Sequence, residues 1–197
     1  MSQSVEFFFD LGSPASYLAW TQLPGMCAKA GATLIYRPML LGGVFQATGN
    51  ASPAAIPAKG RYTQQDMARF ARRYQVPMRF NPYFPINTLG LMRAVVAVAQ
   101  YQPQRLEAYL AANFTALWEA ERNMGDLAVV GQVLSDAGFD PQQVLAQSTE
   151  QAVKDRLKAD TAEAVQRGVF GAPTFFVGDE MFFGQDRLDF VQAALAR

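Results

Sequence analysis

The chain contains no histidine and only one cysteine, Cys27. Without histidine there is no Ser-His-Asp or Cys-His machinery, and the commonest ligand of transition metals is missing. A lone cysteine allows neither an intramolecular disulfide nor a cysteine metal cluster. Cys27 falls well inside the first expected helix and reads as a small core residue. An excess of one charge sign is lacking too: 17 basic and 17 acidic side chains cancel, and no basic run offers a footprint for nucleic acid. No apolar stretch is long enough to cross a bilayer, and Glu6 and Asp10 break the segment from Val5 to Leu11 that would otherwise suggest a signal sequence. The expectation is a soluble, cytoplasmic chain without a metal, membrane or nucleic-acid partner. Chemistry must then rest on hydroxyls, carboxylates, backbone dipoles or a group brought in by a ligand.

What is present favours a well-packed core. Half of the 197 residues are hydrophobic and 12% are aromatic, enough for one domain with an inserted subdomain. Val5 to Phe9 reads as a buried strand. Ser13 suits a helix N-cap and Pro14 the first helical position, so a helix is expected to about Ala30, with Pro24 inside it and Gly31 stopping it. Thr33 to Pro38 is β-branched and aromatic, completing a parallel β-α-β unit. Leu40 to Lys59, rich in Gly, Ala and Pro, reads as a long functional loop.

From Tyr62 to Arg167 the pattern is helical. Leu89 to Ala99 reads as a buried helix, and Leu106, Tyr109, Leu110, Phe114, Leu117 and Trp118 share one face of a helix bounded by Pro103 and Gly125. Asp126 to Ala137 and Gln151 to Arg167 follow. Thr174 to Val177 and Met181 to Phe183 form a hairpin about Gly178-Asp179, and a last helix is expected from about Asp186 to Ala196. Arg69, Arg72, Arg73 and Arg79 read as a solvated face rather than an anion rim, and Glu119 and Glu121 as surface charge.

Four separated blocks carry a resemblance: Phe9-Asp10-Leu11-Gly12-Ser13-Pro14-Ala15-Ser16-Tyr17-Leu18-Ala19, Gly42 to Asn50, Phe170-Gly171-Ala172-Pro173-Thr174, and Phe183-Gly184-Gln185-Asp186-Arg187-Leu188. Together they resemble the signature blocks of 2-hydroxychromene-2-carboxylate isomerases and their relatives, the kappa-class glutathione transferases, across essentially the whole chain. The resemblance implies an α/β, thioredoxin-like fold of the DsbA type: a thioredoxin-like part over about 1–60 and 168–197, with an all-helical insertion over about 61–167. A CxxC frame has become Ser13-Pro14-Ala15-Ser16, which keeps the fold and loses the disulfide.

The resemblance further implies glutathione as cofactor, a homodimer, and a small aromatic carboxylate as substrate, in aromatic hydrocarbon catabolism. Ser13 and Pro14 would face the glutathione sulfur. A cis Pro173 would let Ala172 pair with the cysteinyl backbone, and Asn50, Gly184, Gln185 and Asp186 would hold the rest of the tripeptide. Gln46 and Tyr83 would contact substrate, although the family often has a lysine where Gln46 stands. Elementary electrostatics supports the Ser13 assignment: a thiolate at a helix N-terminus meets free N–H groups and the positive end of the dipole. Read singly, these residues have plainer roles: an N-cap for Ser13, a turn for Asn50, helix capping for Asp186, a loop anchor for Tyr83. The implied reaction is the interconversion of 2-hydroxychromene-2-carboxylate and trans-o-hydroxybenzylidenepyruvate. A kappa-type transferase and a redox-inactive thioredoxin-like binding module are the rivals.

Overall fold

A computed structural model describes residues 3–197. Its sheet has four strands: β1 (Ser4–Phe9), β2 (Thr33–Pro38), β3 (Thr174–Val177) and β4 (Glu180–Phe183), in the order β2-β1-β3-β4. β1 pairs parallel with β2 and antiparallel with β3, and β3 pairs antiparallel with β4. The near-continuous apolar run Val5–Phe9 follows from this central place, because both faces of β1 are covered. Phe7 and Phe9 point into the main core, while Phe8 lies on the opposite face with Met39, Val44, Ala164, Val169 and Phe176.

Helix α1 (Pro14–Ala30) crosses between the two parallel strands. Its start is capped by Ser13, whose Oγ accepts the Ser16 N–H at 3.1 Å, and its end by Gly31 at φ 63°. That left-handed conformation is one a β-carbon disfavours. After β2 the expected long loop is largely helical: α2 (Leu41–Thr48), a 3-10 turn Pro53–Ala55, and α3 (Pro57–Tyr74), which begins five residues before the expected Tyr62. Two glycines lower the intrinsic propensity of α2. Tertiary contacts override it: Asp10 Oδ2 accepts the Leu41 N–H at 2.9 Å, and Thr161 Oγ1 accepts the Leu40 N–H at 3.0 Å.

The helical block continues with α4 (Leu89–Tyr101), α5 (Leu106–Trp118), α6 (Leu127–Asp136), α7 (Pro141–Ser148) and α8 (Gln151–Gln166). Helix α7 was not expected, although Asp140 and Pro141 supply its N-cap and first position. Helix α5 stops at Trp118, short of Gly125, and the chain after it passes through Glu121 at φ 53°. The last expected helix is divided into a 3-10 turn Gln185–Arg187 and α9 (Leu188–Leu195). Gln185 and Asp186 therefore do not open an α-helix. No helix among the described residues is long and apolar enough to cross a membrane, and none of their His, Cys, Asp and Glu side chains cluster as a metal site.

Candidate active site

Residues 10–13 leave the end of β1 in a tight turn held on every side. The Leu11 N–H points to Met92 Sδ at 3.3 Å, and the buried indole of Trp118 donates to the Leu11 carbonyl at 2.9 Å. The Ser13 N–H donates to the Asp10 carbonyl at 3.0 Å, and the Gly12 N–H to Asp10 Oδ1 at 2.9 Å. Gly12 admits no β-carbon: one built there would lie 2.8 Å from Thr88 Cγ2. The turn thus places Ser13, 4% exposed, at the N-terminus of α1.

Across from it the Ala172–Pro173 peptide is cis. Ser13 Oγ donates to the Ala172 carbonyl at 3.1 Å, a contact spanning 159 residues of sequence. The Gly184 N–H donates to the Pro173 carbonyl at 2.9 Å, bringing the start of the last 3-10 turn to the same place. Gly184 adopts φ 97° and ψ 147°, a region nearly reserved for glycine. A β-carbon there would also meet Asp186 Oδ1 at 2.5 Å. At Gly171 a β-carbon would lie 2.7 Å from Phe183 Cε2, so the Phe183 ring would have to shift to admit one. Asn50, just beyond α2, donates through Nδ2 to the Phe170 carbonyl at 2.8 Å and so ties that loop to the proline turn.

Ser13, Pro14, Asn50, Ala172, Pro173 and Gly184 therefore converge. Gln185 is buried, and its carbonyl accepts the Tyr74 hydroxyl at 2.7 Å. The Asp186 carboxylate is paired with the adjacent Arg187. Gln46 and Tyr83 are exposed, and no hydrogen bond joins either to the Ser13 cluster. The Phe84–Pro85 bond just after Tyr83 is also cis. Glu119 is more than surface charge, since it accepts from Tyr17 and from Thr115, both at 3.0 Å. Glu121 pairs with Arg79, whereas Arg69, Arg72 and Arg73 lie on the exposed face of α3.

The residue that pattern reading missed is Asp10. It is 2% exposed and accepts three hydrogen bonds, from Gly12 N, Leu41 N and Thr88 Oγ1, at 2.9, 2.9 and 2.8 Å. Burial pushes its carboxyl above the usual aspartate range, against the pull of those donors. One side chain thereby fixes the turn before Ser13, the first residue of α2 and the start of α4. Its only signal in the sequence is a carboxylate interrupting an apolar run.

The backbone donors at the cluster that have no acceptor among the described residues include the N–H of Ala15 in the first turn of α1 and that of Ala172 before the cis proline. The first belongs to a helix N-terminus, which favours an anion. The second, beside the Ala172 carbonyl, offers a donor and an acceptor to an extended peptide backbone. A tripeptide thiolate fits both, so the donor set suits glutathione.

The chain matches the DSBA-like thioredoxin domain over residues 4–196. It is 32% identical over 197 residues to a 2-hydroxychromene-2-carboxylate isomerase of Sphingobium xenophagum, covering 99% of each chain. It is 28% identical over 197 residues to Glutathione S-transferase kappa 1 of Rattus norvegicus, covering 94% of this chain and 87% of that protein. A solved structure of 2-hydroxychromene-2-carboxylate isomerase superposes with a TM-score of 0.87 at 30% identity, over 98% of this chain and 95% of the other. A serine-tipped helix facing a cis-proline turn, with no second thiol, agrees with these likenesses: the chain belongs to the 2-hydroxychromene-2-carboxylate isomerase family of DsbA-like thioredoxin folds, related to the kappa-class glutathione transferases.

Proposed function

We propose that the chain is a glutathione-dependent isomerase that interconverts 2-hydroxychromene-2-carboxylate and trans-o-hydroxybenzylidenepyruvate. The observation that carries this reading is the 3.1 Å contact between Ser13 Oγ and the Ala172 carbonyl in a protein with no catalytic cysteine or histidine. Glutathione, when bound, supplies a thiolate that adds to the conjugated carbon and leaves again, so a double bond becomes a rotatable single bond and no atom is gained or lost overall.

The chain's own residues supply orientation and charge stabilisation. Ser13 has one hydroxyl hydrogen, which the Ala172 carbonyl holds here. The hydroxyl turns from this carbonyl to the sulfur when a thiolate lies beside it, and the ligand's peptide N–H replaces it on the carbonyl. Seating the backbone and stabilising the thiolate are in that way one event. The Ala15 N–H and the α1 dipole add to the stabilisation. Asn50, Gly184, Gln185 and Asp186 hold the remainder of the tripeptide, and Asp186 must exchange Arg187 for the ligand's ammonium to do so. Gln46 and Tyr83 orient the substrate. We further read the protein as a cytoplasmic homodimer, in a compartment where glutathione stays reduced.

The similarity to kappa-class enzymes favours a second reading, a transferase in which sulfur stays attached to an electrophile. Gln46, uncharged where relatives often carry lysine, leaves room for it. Mixing the protein with 2-hydroxychromene-2-carboxylate, with and without glutathione, separates the two. The isomerase reading predicts glutathione-dependent equilibration with the thiol fully recovered. Net loss of thiol to a conjugate favours the transferase, and no acceleration in either mixture removes the isomerase assignment.

A further inference from the structure

A groove of about 710 Å³ runs between α2, the first turns of α4 and the length of α8. None of its lining residues belongs to the Ser13 cluster. Its floor is aliphatic, from Leu40, Leu89, Leu157 and Val165, and Ala47 and Ala162 leave space beside them. Its volume falls in the range of small-molecule sites.

The charges along it are lopsided in a chain whose net charge is zero. Arg93, Lys154 and Lys158 line the groove against a single carboxylate, Asp155, which accepts from Gln151 Nε2 at 2.8 Å. None of the three cations has a carboxylate within salt-bridge distance among the described residues. Arg93 is the more telling. It is the only charged residue of α4, a helix in which Leu91, Met92 and Ala94 to Val98 are all buried. Its guanidinium carries five N–H donors on a half-buried side chain, and no hydrogen bond to the described residues uses them. Lys154, also half-buried, is likewise unpartnered. Half-buried cations with no carboxylate beside them favour an incoming anion, since each has given up part of its water without gaining a charge partner.

The surroundings define the anion's class. A planar guanidinium matches a carboxylate through two parallel hydrogen bonds. An aliphatic floor rewards a hydrocarbon body through area removed from water. A small, heavily hydrated multivalent anion gains nothing from that floor. We infer that the groove between α2, α4 and α8 is a second ligand site, distinct from the Ser13 cluster, for an apolar monocarboxylate paired with Arg93 and Lys154. This inference stands independently of the isomerase reading. Leu40, Gly43 and Ala47 belong to or directly precede α2, the helix that carries Gln46 and leads into Asn50, so occupancy bears on the helix beside the cluster.

Isothermal titration of the full chain with 2-naphthoate, and with the uncharged 2-naphthamide, tests it. One equivalent of naphthoate is expected to bind in the wild type and in Tyr83→Ala alike, with naphthamide at least about tenfold weaker. Arg93→Gln combined with Lys154→Gln is expected to weaken that equivalent by at least about tenfold. Ala162→Phe, on an exposed position where folding is not at risk, fills the groove with its cations intact and is expected to abolish it. Wild-type naphthoate affinity in both the charge variant and Ala162→Phe overturns the site, as does the absence of naphthoate binding to the wild type. Equal affinity for naphthamide overturns the carboxylate assignment.

Discussion

The single hydroxyl hydrogen of Ser13 can be given to Ala172 or to sulfur, not to both, while Ser13 Oγ also accepts the Ser16 N–H. Removing the hydroxyl therefore affects two properties separately. Ser13→Ala should lower stability by about 1 kcal/mol, the usual worth of an N-cap, as read by urea denaturation. It should lower the glutathione-dependent isomerisation rate by about two orders of magnitude, the scale of a lost oxyanion-type donor. Asp10 makes a second residue-scale prediction. In Asp10→Asn, one oxygen can still accept from Gly12 and Thr88, but the new amide faces the Leu41 N–H donor to donor. The expected cost is about 1–3 kcal/mol. Leu41 is the first residue of α2, where proline is tolerated and carries no N–H. In a Leu41→Pro background the same Asp10→Asn change should cost measurably less, so a double-mutant cycle with no coupling would contradict the capping role.

Among the elements, those that obey local rules were legible in the sequence. Helix α1 runs from its Ser13 cap to its Gly31 stop, β1 and β2 pair in parallel, and Gly178 turns the β3–β4 hairpin at φ 59°. Helix α2 was not legible, because Gly42 and Gly43 argue against it locally. Its stability comes from Asp10 and Thr161, 31 and 121 residues away from the N–H groups they accept. The division between the last 3-10 turn and α9 was hidden for a related reason: Gly184 sets the entry by its backbone, not by a capping side chain. Within the candidate site, Ser13 and the cis-proline turn could be expected from sequence blocks, whereas the convergence on Asp10 depends on a buried carboxylate that periodicity records only as an interruption. Gly184→Ala should cost about 1–3 kcal/mol through backbone strain, read by urea denaturation, and should weaken glutathione binding measured by calorimetry; a variant as stable as the wild type would contradict the strain.

Across the whole molecule, the sheet is joined to α8 by charge as well as by packing. Glu6 on β1 receives two hydrogen bonds from Arg167, at 2.8 and 3.0 Å, and lies 3.5 Å from Arg37, which also pairs with Glu163. The Arg167 hydrogen bond, with the charges of Arg167 and Arg37, holds the Glu6 carboxyl below its ordinary 4.5 despite burial. A depressed folded-state value means stability that is present above about pH 4.5 and is lost as pH falls through the lower folded value. Glu6→Gln should therefore cost about 2 kcal/mol at neutral pH, and the gap from wild type should close in acid. A gap that persists undiminished at low pH would show that shape, not charge, is what Glu6 contributes. The same fold delivers the α1 N-terminus and the cis-proline turn to one point, and the central claim is that this point stabilises a borrowed thiolate. The most direct measurement is titration of the thiolate absorbance of glutathione bound to the wild type and to Ser13→Ala. The expected result is a thiol that ionises at least about one pH unit below the ordinary value near 8.5 on the wild type, with much of that depression lost in Ser13→Ala. A bound thiol that titrates like free glutathione in both proteins would contradict it.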